Sequence, residues 1–107
     1  MPALTETEFH ALADAVLARL FDALELEDKD GRLDVEYQGG ILTITLAGGK
    51  QFIVSKHAPS RQLWLSSPVS GGWHFSYNEK HGQWRLQDEK TLETLLFSEL
   101  KQLAESL

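Results

Sequence analysis

Cysteine does not occur anywhere in these 107 residues. Its absence excludes disulfides, thiol catalysis and thiolate ligation of zinc or an iron–sulfur cluster. Any metal must therefore be held by oxygen or imidazole. Long apolar runs are missing too, since none approaches the roughly 18 residues of a membrane span. The opening MPALTETEFHALADAVL is acidic and lacks the basic segment of a signal or transit peptide. A cytoplasmic chain without membrane association is expected. Positive charge is scarce, with 10 Lys and Arg against 16 Asp and Glu, so the basic footprint that phosphate backbones require is absent and nucleic acid is not an expected partner. Catalytic motifs are lacking as well. No serine stands in a nucleophile elbow, Gly48-Gly49-Lys50 has neither the upstream glycine nor the following Ser/Thr of a P-loop, and the four histidines show no HExxH or similar spacing.

What is present reads as one α+β domain. Thr5 and Glu8 have the form of a capping box, and Phe9, Leu12, Ala13, Val16, Leu17, Leu20 and Leu24 recur at helical spacing behind it. Asp30-Gly31 breaks that pattern. Alternation then predicts strands at Leu33 to Gln38, Leu42 to Leu46 and Gln51 to Ser55, turned by Gly39-Gly40 and Gly48-Gly49. Shorter strands are expected at Gln62 to Leu65, Trp73 to Tyr77 and Gln83 to Leu86. From about Thr91 to Leu107 a leucine stripe predicts a closing helix. Two one-sided helices flanking a block of short strands bury their stripes by lying together on one face of a five- to six-stranded antiparallel sheet. The other face stays open to water.

Charge is distributed unevenly along this plan. Residues 1 to 36 hold Glu6, Glu8, Asp14, Asp22, Glu25, Glu27, Asp28, Asp30, Asp34 and Glu36 against Arg19, Lys29 and Arg32, a balance of −7, whereas the remainder carries +1. Asp22, Glu25, Glu27, Asp28 and Asp30 gather at the C-terminal end of the first helix and just beyond it. The helix dipole is negative there, so each misplaced acid costs about 0.3 to 1 kcal/mol at low salt. Asp22 and Glu25 also repel as same-face neighbours by about 0.2 to 0.5 kcal/mol. Repeated violations of a local rule tend to mark function. The competing explanation is a helix face kept acidic for solubility. Exposed carboxylates that bind metal select hard cations such as Fe²⁺, Fe³⁺, Mn²⁺, Mg²⁺ or Ca²⁺ in a shallow, weak site. An EF-hand is excluded, because aligning Gly31 to that motif's glycine puts Leu26 at the first ligand position and Tyr37 at the last. His10 is the best auxiliary ligand among the histidines, with a simple surface histidine as the alternative. Gln62 and Trp64 alternate onto the open sheet face, where Trp64 either anchors a partner or lies covered by cross-strand neighbours such as Thr43 or Arg61.

Three stretches together carry a family resemblance. They are Glu8-Phe9-His10-x-Leu12-Ala13-Asp14, then Leu33-Asp34-Val35-Glu36-x-x-Gly39-Gly40-Ile41-Leu42-Thr43-Ile44, then Gln62-Leu63-Trp64-Leu65-Ser66-Ser67-Pro68-x-Ser70-Gly71-Gly72 with Trp73 and Phe75. In order and without large gaps from about residue 6 to 100, the chain resembles the frataxins, most closely their bacterial branch. The resemblance implies a sandwich of two helices on an antiparallel sheet, and a non-enzymatic iron-binding regulator of iron–sulfur cluster assembly with at most weak ferroxidase or storage activity. It implies cysteine desulfurase as a partner, with the cluster scaffold protein as a further one, and a monomer able to oligomerise with iron. The iron-binding and desulfurase-facing ridge of that family maps onto Asp22, Glu25, Glu27, Asp28, Asp30, Asp34 and Glu36, and its exposed sheet tryptophan maps onto Trp64. Phe21, Ala23 and Leu26 are apolar or small where relatives are often acidic, so this ridge is expected to hold fewer ions or to hold them more weakly.

Overall fold

The first helix starts where its capping box predicts. In the computed structural model, which describes residues 4–28, 31, 33–88 and 90–106 with side chains as far as residue 103, Glu8 N–H donates to Thr5 Oγ1 at 3.1 Å and Thr5 N–H to Glu8 Oε1 at 2.9 Å. Two donors left open by the first helical turn are thereby satisfied. Helix α1 runs over Glu6–Glu27 and buries Phe9, Ala13, Val16, Leu17, Leu20 and Leu24. It ends at Asp28, whose N–H donates to the Leu24 carbonyl at 3.0 Å.

Six strands follow, β1 (Leu33–Gln38), β2 (Ile41–Leu46), β3 (Gln51–His57), β4 (Gln62–Ser67), β5 (Gly71–Asn78) and β6 (Gln83–Arg85). They form one antiparallel meander in chain order. Several strands run one or two residues past their alternating patterns, because ladder pairing continues to the turn, as in His57↔Gln62 and Ser67↔Gly71. β6 stops at Arg85, one residue earlier than expected, and Arg85 bridges to Thr91 at the start of the last helix. The β1–β2 turn needs positive φ at both Gly39 (61°) and Gly40 (77°), the backbone of a tight hairpin that glycine adopts without strain. Helix α2 covers Leu92–Ser106, with Thr94 N–H donating to the Thr91 hydroxyl at 3.1 Å as to an N-cap. Leu107, expected in its stripe, lies outside the described residues.

Strand alternation and helix periodicity meet in a single core. Leu42, Ile44, Phe52, Val54, Leu63, Leu65, Phe75 and Trp84 form the covered sheet face, against the α1 stripe and Leu92, Leu96 and Leu100 of α2. Burying each such side chain stabilises the fold by about 1.5–3 kcal/mol. No described helix is long and apolar enough to cross a membrane. The opposite sheet face is bare, as predicted, and displays the odd members of the alternation.

One buried carboxylate ties the helical layer to a turn. Glu99 on α2 is 7% exposed and accepts a hydrogen bond from Ser67 Oγ at 2.6 Å. Ser67 Oγ in turn accepts from Val69 N–H and Ser70 N–H at 3.0 and 3.2 Å. Ser67→Ala leaves a carboxylate and two amides without this partner, and is expected to lower unfolding free energy by about 1–3 kcal/mol in urea titrations. An unchanged midpoint would contradict this role.

Candidate metal and docking surface

The length of α1 decides what its outer face presents. Asp22, Glu25 and Glu27 lie exposed on its last turns, one flank of which faces α2 and the other β1. Arg19 marks the α2 flank, reaching Glu93 at 3.9 Å. Asp14 marks the β1 flank, bonded to Lys56 at 2.7 Å and to the Tyr37 hydroxyl at 3.4 Å. At 100° per residue Glu25 lies about 20° from Asp14 around the axis, so it shares the β1 flank. Around the sheet edge, Asp34 and Glu36 project from β1 onto the open face, opposite Thr45 and Thr43. Glu25 and the β1 acids therefore line both sides of one edge, α1 above and β1 below. Asp22, about 80° round the axis from Asp14, faces outward, and Glu27, about 140° away in the other sense, stands at the helix end. Among the described residues, no ion pair engages Asp22, Glu25, Glu27, Asp34 or Glu36.

These carboxylates are spread along the edge and enclose no cavity. Asp22 and Glu25 sit one turn apart, with Cβ atoms about 5–6 Å from each other, and Asp34 and Glu36 about 6.6–7 Å apart along the strand. Among the described residues no three His, Asp or Glu side chains are grouped tightly enough to hold an ion. The donor set suits hard cations, yet each contact point offers one or two carboxylates, with water to complete a coordination shell.

One predicted ridge residue and the auxiliary histidine have other occupations. Asp28 Oδ2 accepts the Leu33 N–H at 3.0 Å, closing the connection from α1 to β1, so this acid past the helix end has a structural reason. Asp30 lies outside the described residues. His10 stands far from the other candidates, about 18 Å along the helix axis from Asp22. Its Nδ1 is 3.2 Å from Lys56 Nζ, and an ammonium group only donates, so that nitrogen's lone pair is engaged.

Lys56 and Asp14 form a pair that the sequence reading does not single out. Lys56 follows Phe52 and Val54 on the covered side of β3 and is largely shielded. A Cβ at Gly40 would stand 2.6 Å from Lys56 Cε, so glycine there leaves room for the lysine stem. A lysine at an inward strand position was the available signal, since a shielded ammonium needs a partner. The consequence is that Asp14 is neutralised and the acidic edge begins at Asp22.

Trp64 is on the open face as expected, but it does not stand alone. Its indole is stacked between the imidazoles of His57, 3.7 Å away and 11° off parallel, and His74, 4.2 Å away and 11° off parallel. Cross-strand neighbours thus cover it, and they are the two histidines. Trp64 Nε1 donates to Gln62 Oε1 at 3.1 Å, and Gln62 Nε2 donates to Ser76 Oγ at 3.2 Å. Gln62 thus orients the indole. The β4–β5 register sets Trp64 opposite His74, while His57 reaches it diagonally from β3.

Comparison with known proteins agrees with this architecture. The model of the frataxin-like domain matches residues 2–106. The chain belongs to the frataxin family. It is 45% identical over 82 residues to the Pseudomonas aeruginosa protein named iron–sulfur cluster assembly protein CyaY, covering 77% of this chain and 73% of that one. A mitochondrial frataxin homolog of Schizosaccharomyces pombe is 40% identical over 101 residues, 91% of this chain and 64% of its own length. Among solved structures, the frataxin of Psychromonas ingrahamii superposes with a TM-score of 0.78 at 22% identity, covering 95% of this chain and 93% of that one. Trimeric frataxin of Saccharomyces cerevisiae, complexed with ferrous iron, gives 0.72 at 30% identity, covering 95% and 88%. A frataxin fold thus carries the acidic edge and the stacked tryptophan as neighbouring surfaces.

The Asp14 contact has a consequence at alkaline pH. Partial burial of Tyr37, the Asp14 charge and the hydrogen bond to it hold the phenol's pKa above its ordinary value. The folded state then keeps this proton more tightly than the unfolded chain. The contribution is complete below the ordinary value of 10.0 and is lost as pH rises through the folded-state value. Tyr37→Phe is expected to flatten the fall in urea stability as pH rises above about 10, and an unaltered slope would contradict the contact.

Proposed function

We propose that this frataxin serves iron–sulfur cluster assembly as a non-enzymatic accessory protein, carrying iron as loosely held cargo on the carboxylates of the α1–β1 edge. Asp22, Glu25, Glu27, Asp34 and Glu36 supply oxygen ligands, with water in the remaining positions. The same edge docks on a basic surface of cysteine desulfurase, and the cluster scaffold protein is a further partner. Gln62 and Trp64 on the adjoining sheet face extend the contact.

The observation that carries the reading is a group of exposed carboxylates, at the end of α1 and on β1, that no ion pair engages among the described residues. Five unpaired negative charges repel one another, and association with a cation or a basic surface relieves that repulsion. The names of the relatives support the biological setting, since iron–sulfur cluster assembly belongs to the CyaY proteins and ferrous iron to the yeast complex. A second reading, in which the acids serve docking alone, is favoured by the lack of any tight ligand group among the described residues.

Anaerobic titration with Fe²⁺, followed by amide NMR, separates the two. Carriage of iron predicts shifts and broadening that are confined to Asp22 to Glu27 and Asp34 to Glu36, with His10 unmoved. Unperturbed signals along that edge at several millimolar iron would leave the docking reading and remove the cargo role.

A further inference from the structure

The open sheet face changes character from one edge to the other. Asp34 and Glu36 on β1 give way to Thr43, Ile53 and Ser55, then to the ring stack of His57, Trp64 and His74. Both faces of the indole are covered by imidazoles within 4.2 Å. A partner meeting this surface therefore meets three parallel rings, and the flat sides of Trp64 are already taken.

Imidazole is the side chain whose charge ordinarily changes between pH 5 and 8. The groups around these two histidines are mostly neutral. His57 Nδ1 is 2.7 Å from Ser60 Oγ, and β4 offers Gln62 and Trp64. In the same turn, Arg61 directs Nη1 to the Ala58 carbonyl. His74 faces Trp64 and lines a groove of about 750 Å³ with Gln62, Ser76, Asn78, Arg85 and Asp88. Lys56 points to the other sheet face, towards Asp14. Asp88 lines the same groove as His74, with the cation Arg85 beside it, and further off on the open face are Asp34 and Glu36. They stand two strand spacings from His57 and four from His74, about 10 and 19 Å, near or beyond the screening length at physiological salt. Protonation therefore places one or two positive charges on the centre of the face, where, among the described residues, Asp88 is the adjacent carboxylate and Arg85 the adjacent cation.

We propose that His57 and His74 set the pH range in which this face docks on a basic protein surface: neutral, they and Trp64 form an uncharged platform, and protonated, they make the platform repel that surface. The inference rests on the proposed docking to a basic partner. Each protonated imidazole still stacks favourably on the indole as a cation on a π face, so the rings stay in place while their charge changes. Protonation alters the partner's affinity and leaves the fold intact.

The test is the affinity of the full chain for cysteine desulfurase at pH 7.5 and 5.5, at low salt, for the native protein and the His57→Gln/His74→Gln variant. Near-ultraviolet circular dichroism checks the fold of each. Native affinity is expected to fall roughly fivefold more than that of the double variant, the effect of adding two surface charges of like sign, with His74→Gln alone intermediate. The difference should shrink at high salt. Equal pH dependence in native and double-variant protein would overturn the inference while leaving docking intact. Absence of binding by the native chain at pH 7.5 would overturn the docking reading itself and the inference with it.

Discussion

Burial of two helical stripes on a single face of the sheet is the constraint from which the other features follow. The sheet presents one continuous apolar row from Leu42 to Trp84, and α1 and α2 together cover it. Because the helices take that face, most polar residues of the strands fall on the other, Lys56 and Ser67 being inward exceptions that find partners on α1 and α2, and the acids of α1 stay exposed. The arrangement leaves two free surfaces, a helix-and-strand edge and a bare sheet face, for any interaction the protein makes.

Charge is then sorted along those surfaces by pairing. Lys56, shielded at the end of β3, takes Asp14, and Arg19 bridges towards α2. Asp28 is drawn into the connection to β1. Among the described residues, no ion pair engages Asp22, Glu25 and Glu27 of α1 or Asp34 and Glu36 of β1. Helix-dipole and like-charge effects oppose that grouping by fractions of a kcal/mol each. A fold stabilised by 18 buried apolar side chains among the described residues tolerates such costs readily. The acidic edge is therefore a feature the fold accommodates and does not require.

Much of this was legible in the sequence, for physical reasons that differ from element to element. The capping box at Thr5 and Glu8 and the leucine stripes act locally, so the helices could be read directly. Period-two alternation marked six strands, and paired glycines marked two of the turns. The residues that the sequence left obscure are those whose partners depend on register. Nothing local says that Trp64 lies opposite His74, or that His57 reaches it diagonally, because the lengths of the 68–70 and 58–61 connections decide the two pairings. His10 looked like a companion to the acids because it shares their helix, yet 12 residues of helix separate it from Asp22 and Lys56 engages it. Asp28 resembled its neighbours in composition, and only the loop geometry assigns it to Leu33.

The central claim is that the unpaired carboxylates at the α1–β1 edge form the surface through which this frataxin meets a basic partner. The most direct measurement is the salt dependence of its affinity for cysteine desulfurase, native against a variant carrying Asp22→Asn, Glu25→Gln, Asp34→Asn and Glu36→Gln. The account predicts that the variant binds roughly tenfold more weakly at low salt and that its affinity barely changes as salt is raised, whereas native affinity falls steeply. Equal affinity and an equal salt slope for the two proteins would contradict it.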